Sequence, residues 1–309
     1  MLKRRVLSLA GAIPVFLLAT SISYPAFSAT FSQGEPFPVT LQSGGVVTVI
    51  PQAPKRIISL SPTATEILFA ENAGSQVIAV DSLSNYPTSA PITKLSAFSP
   101  NVEAIAAKRP DLVILSADAT NSVSIQKALR LLKIAVLVEK APTQISGAYS
   151  EFITIGKATN HVSDAKLLVS RVKNSINSII AKSRKNRSIT FFHELDNTLY
   201  SATSSTFIGH VYSSLGLKNI ADKAQGADAS GYPQLSQEYL VTANPQIIFL
   251  SDAQYGENLQ TVSTRPGWAQ ISAVMNSNVV LLPADITSRW GPRLIDFYQS
   301  ISDAMAKVA

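Results

Sequence analysis

A sixteen-residue unit occurs twice in this chain, and it constrains the fold more than any other feature of the sequence. Residues 101–116 read NVEAIAAKRPDLVILS and residues 236–251 read SQEYLVTANPQIIFLS. Both copies carry a glutamate at the third position, a proline at the tenth and Leu-Ser at the end. Each copy predicts a short helix followed by a buried strand. Two matching units indicate a fold with two matching halves.

Strand and helix patterns alternate along the rest of the chain. Residues 37–50 alternate apolar and polar positions around a Ser-Gly-Gly turn, which predicts a hairpin. The segments RIISL, QVIAVD, DLVILS, IAVLVE, SITFFHEL and NVVLLPAD predict strands, and helical patterns separate them. After RIISL, Thr63 and Glu66 have the spacing of a helix capping box. This alternation predicts an α/β fold with mainly parallel sheets that helices cover on both faces.

One long helix is predicted at residues 161–184, between the two arrays of strands. Its apolar residues recur every three or four positions on one face: Ala165, Leu168, Val172, Ile176 and Ile179. About 24 residues extend ~36 Å, the width of a domain. A helix of that length can brace two arrays, which a flexible linker cannot do. We predict two β/α lobes, residues 29–145 and 187–309, joined by a helical segment at residues 146–186.

The first 28 residues have the pattern of a secretory signal peptide. Three basic residues at positions 3–5 precede an apolar run that a proline interrupts, and Ala26 and Ser28 form a small-x-small cleavage site. An uncleaved membrane anchor is the alternative. We expect the mature chain to begin near Ala29 and the protein to be periplasmic or secreted.

Charge and cysteine content narrow the function further. The formal charge is +6, and it falls to +3 without the three basic residues of the predicted signal peptide. No nucleic-acid partner is therefore expected. The chain contains no cysteine, which excludes a lipid-modified cysteine, thiolate catalysis, iron–sulfur clusters and cysteine-based zinc sites.

Few residues in the sequence are suited to bind a metal or to catalyse a reaction. The three histidines, His161, His193 and His210, form no close pair, so a multi-histidine metal site is not expected. There is no GxSxG, GxGxxG or P-loop lysine motif. Glu194 and Asp196 beside His193 suggest acid–base chemistry, but acidic residues at a strand end are more often solvated loop residues. We predict a binding protein without a cofactor or metal, not an enzyme.

The glutamates of the repeated unit, Glu103 and Glu238, have two interpretations. Asn101 and Ser236 are well placed as N-caps, and a carboxylate near a helix N-terminus contributes about 0.3–1 kcal/mol. A symmetric pair of exposed carboxylates also suits docking to a partner with two basic patches. Exposed ion pairs contribute only ~0.2–1 kcal/mol, so such contacts orient a partner more than they hold it.

Six segments together identify a resemblance: RIISLSPTATEILFA, DSLSNYP, SPNVEAIAAKRPDLVIL, YPQLSQEYL, RPGW and SRWGPRLIDF. They resemble the periplasmic substrate-binding proteins of ABC importers for cobalamin and ferric siderophores, whose two lobes are joined by one long helix. The resemblance implies a ligand cleft between the lobes and a monomer that meets a permease dimer. It also implies that Glu103 and Glu238 contact arginines of the two permease subunits.

The same resemblance places six residues at the ligand cleft. The pattern is most similar to cobalamin-binding members, which have an aromatic residue six positions before the docking glutamate and an Asp and an Arg four apart before Pro-Arg. Those members commonly have Trp where this chain has Phe98. The implied ligand-binding residues are Tyr86, Phe98, Tyr232, Asp285, Arg289 and Trp290, and Arg293 is expected to be structural.

The charge of these implied ligand-binding residues bears on which class of ligand can bind. An arginine beside an aspartate is largely neutralised, so a strongly anionic ferric catecholate would lie close to an uncompensated carboxylate. A corrinoid presents a flat apolar ring edged by neutral amides, which such a pair can bind. We expect cobalamin or a related corrinoid, with a ferric hydroxamate siderophore as the alternative. A haem receptor with Tyr86 as ligand and a non-transport ligand sensor are further alternatives.

Overall fold

The computed structural model describes residues 36–43, 45–183, 188–224 and 230–308. The predicted signal peptide and the predicted start of the mature chain near Ala29 lie outside the described residues. No described helix is long and apolar enough to cross a membrane.

The hairpin predicted at residues 37–50 is confirmed. Strand β1 (Val39–Ser43) pairs antiparallel with β2 (Val46–Ile50), and Val39 lies opposite Ile50. The hairpin packs against the edge of the first sheet, where the Thr48 hydroxyl donates a hydrogen bond to the Val136 carbonyl at 2.5 Å.

The first sheet contains five parallel strands in the order β5-β4-β3-β6-β7. They are β3 (Ile57–Leu60), β4 (Val77–Asp81), β5 (Ile92–Leu95), β6 (Leu112–Ser116) and β7 (Ala135–Glu139). The helices of this array are α1 (Pro62–Ala70), α2 (Val102–Ala107) and α3 (Ser122–Leu131), with a 3-10 turn at Gly74–Gln76. All four residues of β3 are buried, as expected for a strand that helices cover on both faces.

The predicted capping box at the start of α1 is wrong. The N-cap is Ser61, whose hydroxyl accepts a hydrogen bond from the Ala64 amide at 3.1 Å. Glu66 is buried inside the protein and binds two arginines. Spacing alone could not separate the two roles, because Ser61 and Thr63 are both good N-caps.

The two helices between the sheets are α4 (Ile145–Thr159) and α5 (Val162–Ser183). Helix α5 corresponds to the predicted long helix, and the five apolar residues predicted on one face are all buried. The helices separate at Asn160, which adopts φ +70°. A Cβ at Gly156 would lie 2.5 Å from the Cβ of Ala165, so glycine permits the close approach of α4 and α5.

The second sheet contains four parallel strands in the order β11-β10-β8-β9. They are β8 (Thr190–Glu194), β9 (Lys218–Asn219), β10 (Ile247–Leu250) and β11 (Val279–Leu281). The helices are α6 (Phe207–Ser214), α7 (Gln237–Ala243), α8 (Leu259–Ser263), α9 (Ser272–Met275), α10 (Ala284–Thr287) and α11 (Leu294–Lys307). Short 3-10 turns lie at Ile220–Lys223, Ala253–Tyr255 and Trp268–Gln270.

One continuous apolar core joins the two arrays. It runs from the hairpin through α1, α4 and α5 to the inner side of the second sheet and α11, and it includes Ile67, Phe152, Val172, Phe249 and Phe297. Separate clusters cover the outer faces of the first and second sheets. The predicted α/β class with parallel sheets is confirmed. The lobe boundaries 29–145, 146–186 and 187–309 stay a prediction.

Candidate functional site

In both sheets the chain crosses from one side of the first strand to the other, and the crossing leads to the strand that follows the repeated helix. From β3 the chain adds β4 and β5 on one side, then crosses to add β6 and β7 on the other. From β8 it adds β9 on one side, then crosses to add β10 and β11. In open parallel sheets, ligands bind beyond the carboxyl ends of the strands at such a switch point. The candidate site therefore lies beyond β3, β6, β8 and β10.

A short antiparallel ribbon carries aromatic residues at the carboxyl end of the second sheet. The Ser201 amide donates to the Pro233 carbonyl at 2.9 Å, the Thr203 amide donates to the Gly231 carbonyl at 2.8 Å, and Tyr200 pairs with Gln234. This register places Tyr200 and Tyr232 diagonally on the same face. Their exposed fractions are 41% and 42%, so the ribbon presents two tyrosines to solvent together.

Tyr200 was not among the residues that the sequence predicted. The sequence did contain a sign that Tyr200 lies near the ligand site. Tyr200 lies six positions after Glu194, the last residue of β8, in a loop at the carboxyl edge of a parallel sheet. The ribbon that brings it to Tyr232 joins segments about thirty residues apart, and neither segment has a strand pattern by itself.

The loop that follows β6 interacts with Phe98 and with Tyr232, two of the predicted ligand-binding residues. The Phe98 carbonyl accepts a hydrogen bond from the Thr120 amide at 2.7 Å, which holds Phe98 beside the loop that follows β6. Asp118 lies in that loop. Burial raises the pKa of Tyr232, Thr206 lowers it, and the Asp118 carboxylate raises it. Asp118, in a loop of the first array, therefore influences a tyrosine of the second array.

Asp285 and Arg289 form an ion pair that also bridges the two arrays. Arg289 donates to Asp285 at 2.6 Å and to Glu66 of α1 at 3.0 Å. It also donates to the Asn85 side chain at 2.9 Å and to the Leu83 carbonyl at 3.1 Å. The Arg289 side chain is 8% exposed and that of Asp285 is 37% exposed. Asp285 is thus the member of the pair that a ligand can reach.

Arg293 and Tyr86 extend this bridge to the other side of Glu66. Arg293 makes two hydrogen bonds to the Glu66 carboxylate, from Nε at 2.9 Å and from an Nη at 2.5 Å. Its guanidinium lies 4.4 Å from the ring centre of Tyr86. Tyr86 lines a pocket of about 440 Å³ with Phe69 and Arg171, and the residues that line it include neither Tyr232 nor Phe98. The structure gives Arg293 the structural role expected from the sequence.

Trp290 contacts helix α4 and helix α6 of the second array. Its indole N–H donates to the Glu151 carboxylate of α4 at 2.8 Å, and its ring meets Phe207 edge to face at 6.4 Å. Burial raises the pKa of Glu151 to about 7, although the hydrogen bond from Trp290 lowers it. Trp290 is therefore a partly buried contact between the two arrays.

The two repeated helices begin in the same way. The Asn101 side chain accepts from the Ala104 amide at 2.9 Å, and the Ser236 hydroxyl accepts from the Tyr239 amide at 3.1 Å. Glu103 and Glu238 stand two residues after these N-caps, and both side chains are exposed. The local hydrogen bonds lower the pKa of Glu238. The predicted caps and the exposure of both glutamates are confirmed.

His193 and Glu194 lie inside the second sheet rather than in a solvated loop. His193 is fully buried, its Nδ1 is 2.8 Å from the Tyr212 hydroxyl, and burial lowers its pKa to about 3. Glu194 is also fully buried and forms two hydrogen bonds with Arg265, at 2.6 and 2.7 Å. The expectation that Glu194 is a solvated loop residue is wrong, because Arg265 compensates the buried charge. Asp196 accepts hydrogen bonds from Thr198.

No group of three or more carboxylates or histidines among the described residues has a geometry that could hold a metal ion. His161 is 3.2 Å from Asp164, three residues away at the start of α5, as expected for a surface position.

The chain is similar to known solute-binding proteins along most of its length. A family model described as periplasmic binding protein matches residues 57–286. The chain is 30% identical over 279 residues to the uncharacterized ABC transporter substrate-binding lipoprotein YvrC of Bacillus subtilis, covering 88% of this chain and 86% of that protein. It is 28% identical over 270 residues to the vitamin B12-binding protein of Yersinia pestis, covering 85% and 90%.

A solved structure agrees with the sequence comparisons. A possible iron-binding solute-binding protein from Staphylococcus epidermidis has a TM-score of 0.71 at 26% identity, covering 82% of this chain and 99% of that chain. The Bacillus relative is a lipoprotein, whereas these 309 residues contain no cysteine for lipid attachment. The predicted cleavable signal and lipid-free export lie outside the described residues and stay predictions.

The family assignment excludes a catalytic role and gives the protein two kinds of partner, a small-molecule ligand and a membrane permease. The two parallel sheets, each with its switch point at one copy of the repeated unit, are the scaffold for binding both kinds of partner. The chain belongs to the periplasmic binding protein family and is the solute-binding component of an ABC transporter.

Proposed function

We propose that this protein binds cobalamin or a related corrinoid beyond the carboxyl ends of the two sheets. It then delivers the corrinoid, chemically unchanged and as a monomeric carrier, to a permease dimer. Glu103 and Glu238 orient the carrier on the two permease subunits. Their matched positions on α2 and α7 suit a partner with two equivalent subunits.

The observation that carries the proposal is the pair of tyrosines on one face of the ribbon. Tyr200 and Tyr232 together offer an extended aromatic surface with hydroxyl groups at its edge. A corrin ring is flat and apolar and carries amides around its rim, so it can stack on the rings and bond to the hydroxyls. Phe98 offers a third exposed ring from the first sheet.

The charged side chains at the predicted cleft favour a ligand without strong negative charge. Arg289 is bound by two carboxylates, Glu66 and Asp285, and little of it is exposed. The exposed member, Asp285, would repel an anionic catecholate complex and can accept hydrogen bonds from amide groups. The vitamin B12-binding relative of Yersinia pestis supports the same ligand class.

A ferric hydroxamate siderophore is the second candidate. It is favoured by the similarity to the possible iron-binding protein of Staphylococcus epidermidis, and its complexes lack the negative charge of catecholates. Haem is less well supported, because Tyr86, its candidate ligand, lies against Arg293 and is not on the ribbon face. A non-transport sensor would have no need for the matched pair Glu103 and Glu238.

Calorimetric titration of the mature protein with cyanocobalamin, cobinamide, haem and ferrichrome tests the proposal. We expect cyanocobalamin and cobinamide to bind at least tenfold more tightly than the other two. Tyr200→Ala and Tyr232→Ala should each weaken corrinoid binding by about tenfold, since a buried aromatic contact contributes on the order of 1–2 kcal/mol. Leu167→Ala, at an exposed position of α5, is the control and should bind normally. Tighter binding of ferrichrome than of either corrinoid would contradict the proposal.

A further inference from the structure

Carboxyl groups gather at the carboxyl ends of both sheets. We call this set the carboxyl floor. Beside the first sheet it comprises Asp81, Asp118, Glu139 and Glu151, and beside the second sheet Glu194, Asp252 and Glu257. Most of these side chains are buried or partly buried, although carboxylates are normally exposed. Of these residues, Asp118, Glu194 and Asp252 lie at or just after the ends of β6, β8 and β10, beyond which the candidate ligand site lies.

Glu139 is the centre of the part beside the first sheet. It is the last residue of β7, it is 2% exposed, and one of its carboxyl oxygens has no hydrogen-bond partner among the described residues. Burial raises the pKa of Glu139, and Glu151, Asp118 and Asp81 raise it further, whereas the Ser61 side chain lowers it. Glu139 therefore binds a proton more readily than an exposed glutamate does.

Two of the carboxyl groups that raise the pKa of Glu139 also interact with residues of the candidate cleft. Asp118 acts on Glu139 and also on Tyr232 of the second array. Glu151 acts on Glu139 and also accepts the hydrogen bond of Trp290. Lys140, the ammonium nearest to it in sequence, is exposed and lines a pocket of about 470 Å³ together with Glu151.

The part beside the second sheet has three carboxyl groups and one guanidinium. Arg265 bonds Glu194 at 2.6 Å and Glu257 at 2.7 Å, and its guanidinium lies 4.5 Å from the ring centre of Trp268. Asp252 is 3% exposed, and neither of its carboxyl oxygens has a partner in the described part of the chain. If all three carboxyl groups were ionised, the single charge of Arg265 would not balance them.

Burial shifts the pKa of three ionisable groups beside the second sheet toward their neutral forms. Burial raises the pKa of Glu194 to about 7, Arg265 lowers it, and Asp252 and Glu257 raise it. Burial also raises the pKa of Asp252. His193, the neighbour of Glu194, is neutral because burial lowers its pKa to about 3. A cation placed above these groups would favour their ionised forms.

We propose that the carboxyl floor makes this receptor select a ligand with net positive charge over a neutral ligand of the same shape, and that binding of the cation releases protons. The inference rests on the proposed function for the location of the ligand, but not for its chemical identity. The argument rests on buried carboxyl oxygens of Glu139 at the first sheet and of Asp252 at the second sheet, which have no hydrogen-bond partner among the described residues.

A matched pair of corrinoids tests the charge preference. Aquocobalamin and cyanocobalamin differ only in the upper axial ligand, and at about pH 6 the first carries one positive charge while the second is neutral. We expect aquocobalamin to bind about tenfold more tightly, with a gap that narrows as salt is added. The visible spectrum of the bound corrinoid shows whether a protein group has replaced the water. If a protein group has replaced the water, the pair of hydroxamate complexes described below tests the charge preference instead.

Proton release is measured by calorimetry in two buffers that differ in ionisation enthalpy. We expect release of a fraction of a proton near neutral pH with the cationic ligand and less with the neutral one. Glu151→Gln and Glu257→Gln should each reduce the affinity gap by about threefold, whereas the exposed control Asp303→Asn on α11 should leave it unchanged. Equal affinities for the two cobalamins together with no proton release would overturn the inference.

A second pair separates this inference from the proposed function. The ferric complex of desferrioxamine B carries a free ammonium group, and its N-acetyl derivative is neutral. If no corrinoid binds but the cationic hydroxamate binds more tightly than its acetylated form, the corrinoid proposal fails and the charge selection stands. If corrinoids bind without any dependence on charge, the proposed function stands and the charge selection fails.

Discussion

The guanidinium of Arg289 lies 3.0 Å from the carboxylate of Glu66, 223 residues away in the chain. Arg293 binds the same carboxylate, so one buried glutamate of α1 holds the start of the last helix. Asn85 adds a further link, since it donates to Asp285 at 2.8 Å and accepts from Arg289. Together with the continuous apolar core, this bridge favours small movements of the two arrays over wide hinge opening.

Glu66→Ala should destabilise the protein strongly. The change leaves two largely buried arginines without their shared carboxylate, and breaking a buried ion pair costs about 3–5 kcal/mol. Urea denaturation measures the loss. Asp285→Ala removes only the half-exposed partner of Arg289 and should cost about 1 kcal/mol. Equal losses for the two variants would contradict the central role of Glu66.

Glu71→Met should stabilise the protein at neutral and alkaline pH. Glu71 is buried at the end of α1, and its carboxyl oxygens have no hydrogen-bond partner among the described residues. Burial raises its pKa from 4.5 to about 9, and Asp164 raises it too. Between these values the folded state binds more protons than the unfolded state, so the stability falls as the pH rises.

The gain from Glu71→Met should be roughly 1–3 kcal/mol at pH 7 and should grow with pH up to about 9. Urea denaturation at acidic and alkaline pH measures it. Asp164→Asn removes the repulsion but also weakens the interaction of Asp164 with His161, so it should give a smaller gain in the same direction. A gain that does not change with pH would show that the methionine acts through packing alone.

Trp290→Phe should raise the pKa of Glu151 above its value of about 7. The indole N–H favours the ionised carboxylate, and phenylalanine keeps the ring but removes the donor. Carbon NMR of the glutamate carboxyl groups during a pH titration follows the change. Phe207→Leu disturbs the ring contact of Trp290 but keeps its hydrogen bond, so the pKa of Glu151 should stay the same in that variant.

Gly231→Ala should disrupt the ribbon that carries Tyr232. Gly231 has φ +77°, and a Cβ there would lie 2.8 Å from a methyl group of Thr206. We expect a loss of about 2–3 kcal/mol in urea denaturation, from backbone strain and from the clash together. Gly216→Ala is the matched control, because φ is +87° and no neighbouring atom of the described residues lies within 4 Å of the added Cβ. It should cost only about 1–2 kcal/mol.

Charge reversal at both docking glutamates should separate ligand binding from transport. Glu103→Lys with Glu238→Lys changes two exposed residues that no described contact links to the candidate cleft, so the affinity for cyanocobalamin should be unchanged. Uptake of labelled cobalamin by cells that express the permease should fall to background. Asp303→Lys is the control for surface charge. Normal uptake by the double variant would remove the docking role.

Several features of the protein could be predicted from local patterns. The repeated unit gave the two helix–strand pairs with the N-caps Asn101 and Ser236, because capping depends on residues within one turn. The apolar face of α5 was predicted residue by residue from its periodicity. Other patterns were ambiguous, as shown by Glu66, whose spacing suited a cap while its environment made it a partner for two arginines.

The sequence by itself determined which segments become strands and helices, since hydrophobic period, caps and turns act over a few residues. Only the tertiary structure decided that Tyr200 and Tyr232 lie on one face of the ribbon and that Arg289 binds Glu66. It also decided that Glu139 and Asp252 have buried carboxyl oxygens without a hydrogen-bond partner among the described residues. These relationships join residues that are far apart in the chain. They depend on burial and on charge compensation by distant groups, and no local pattern records either quantity.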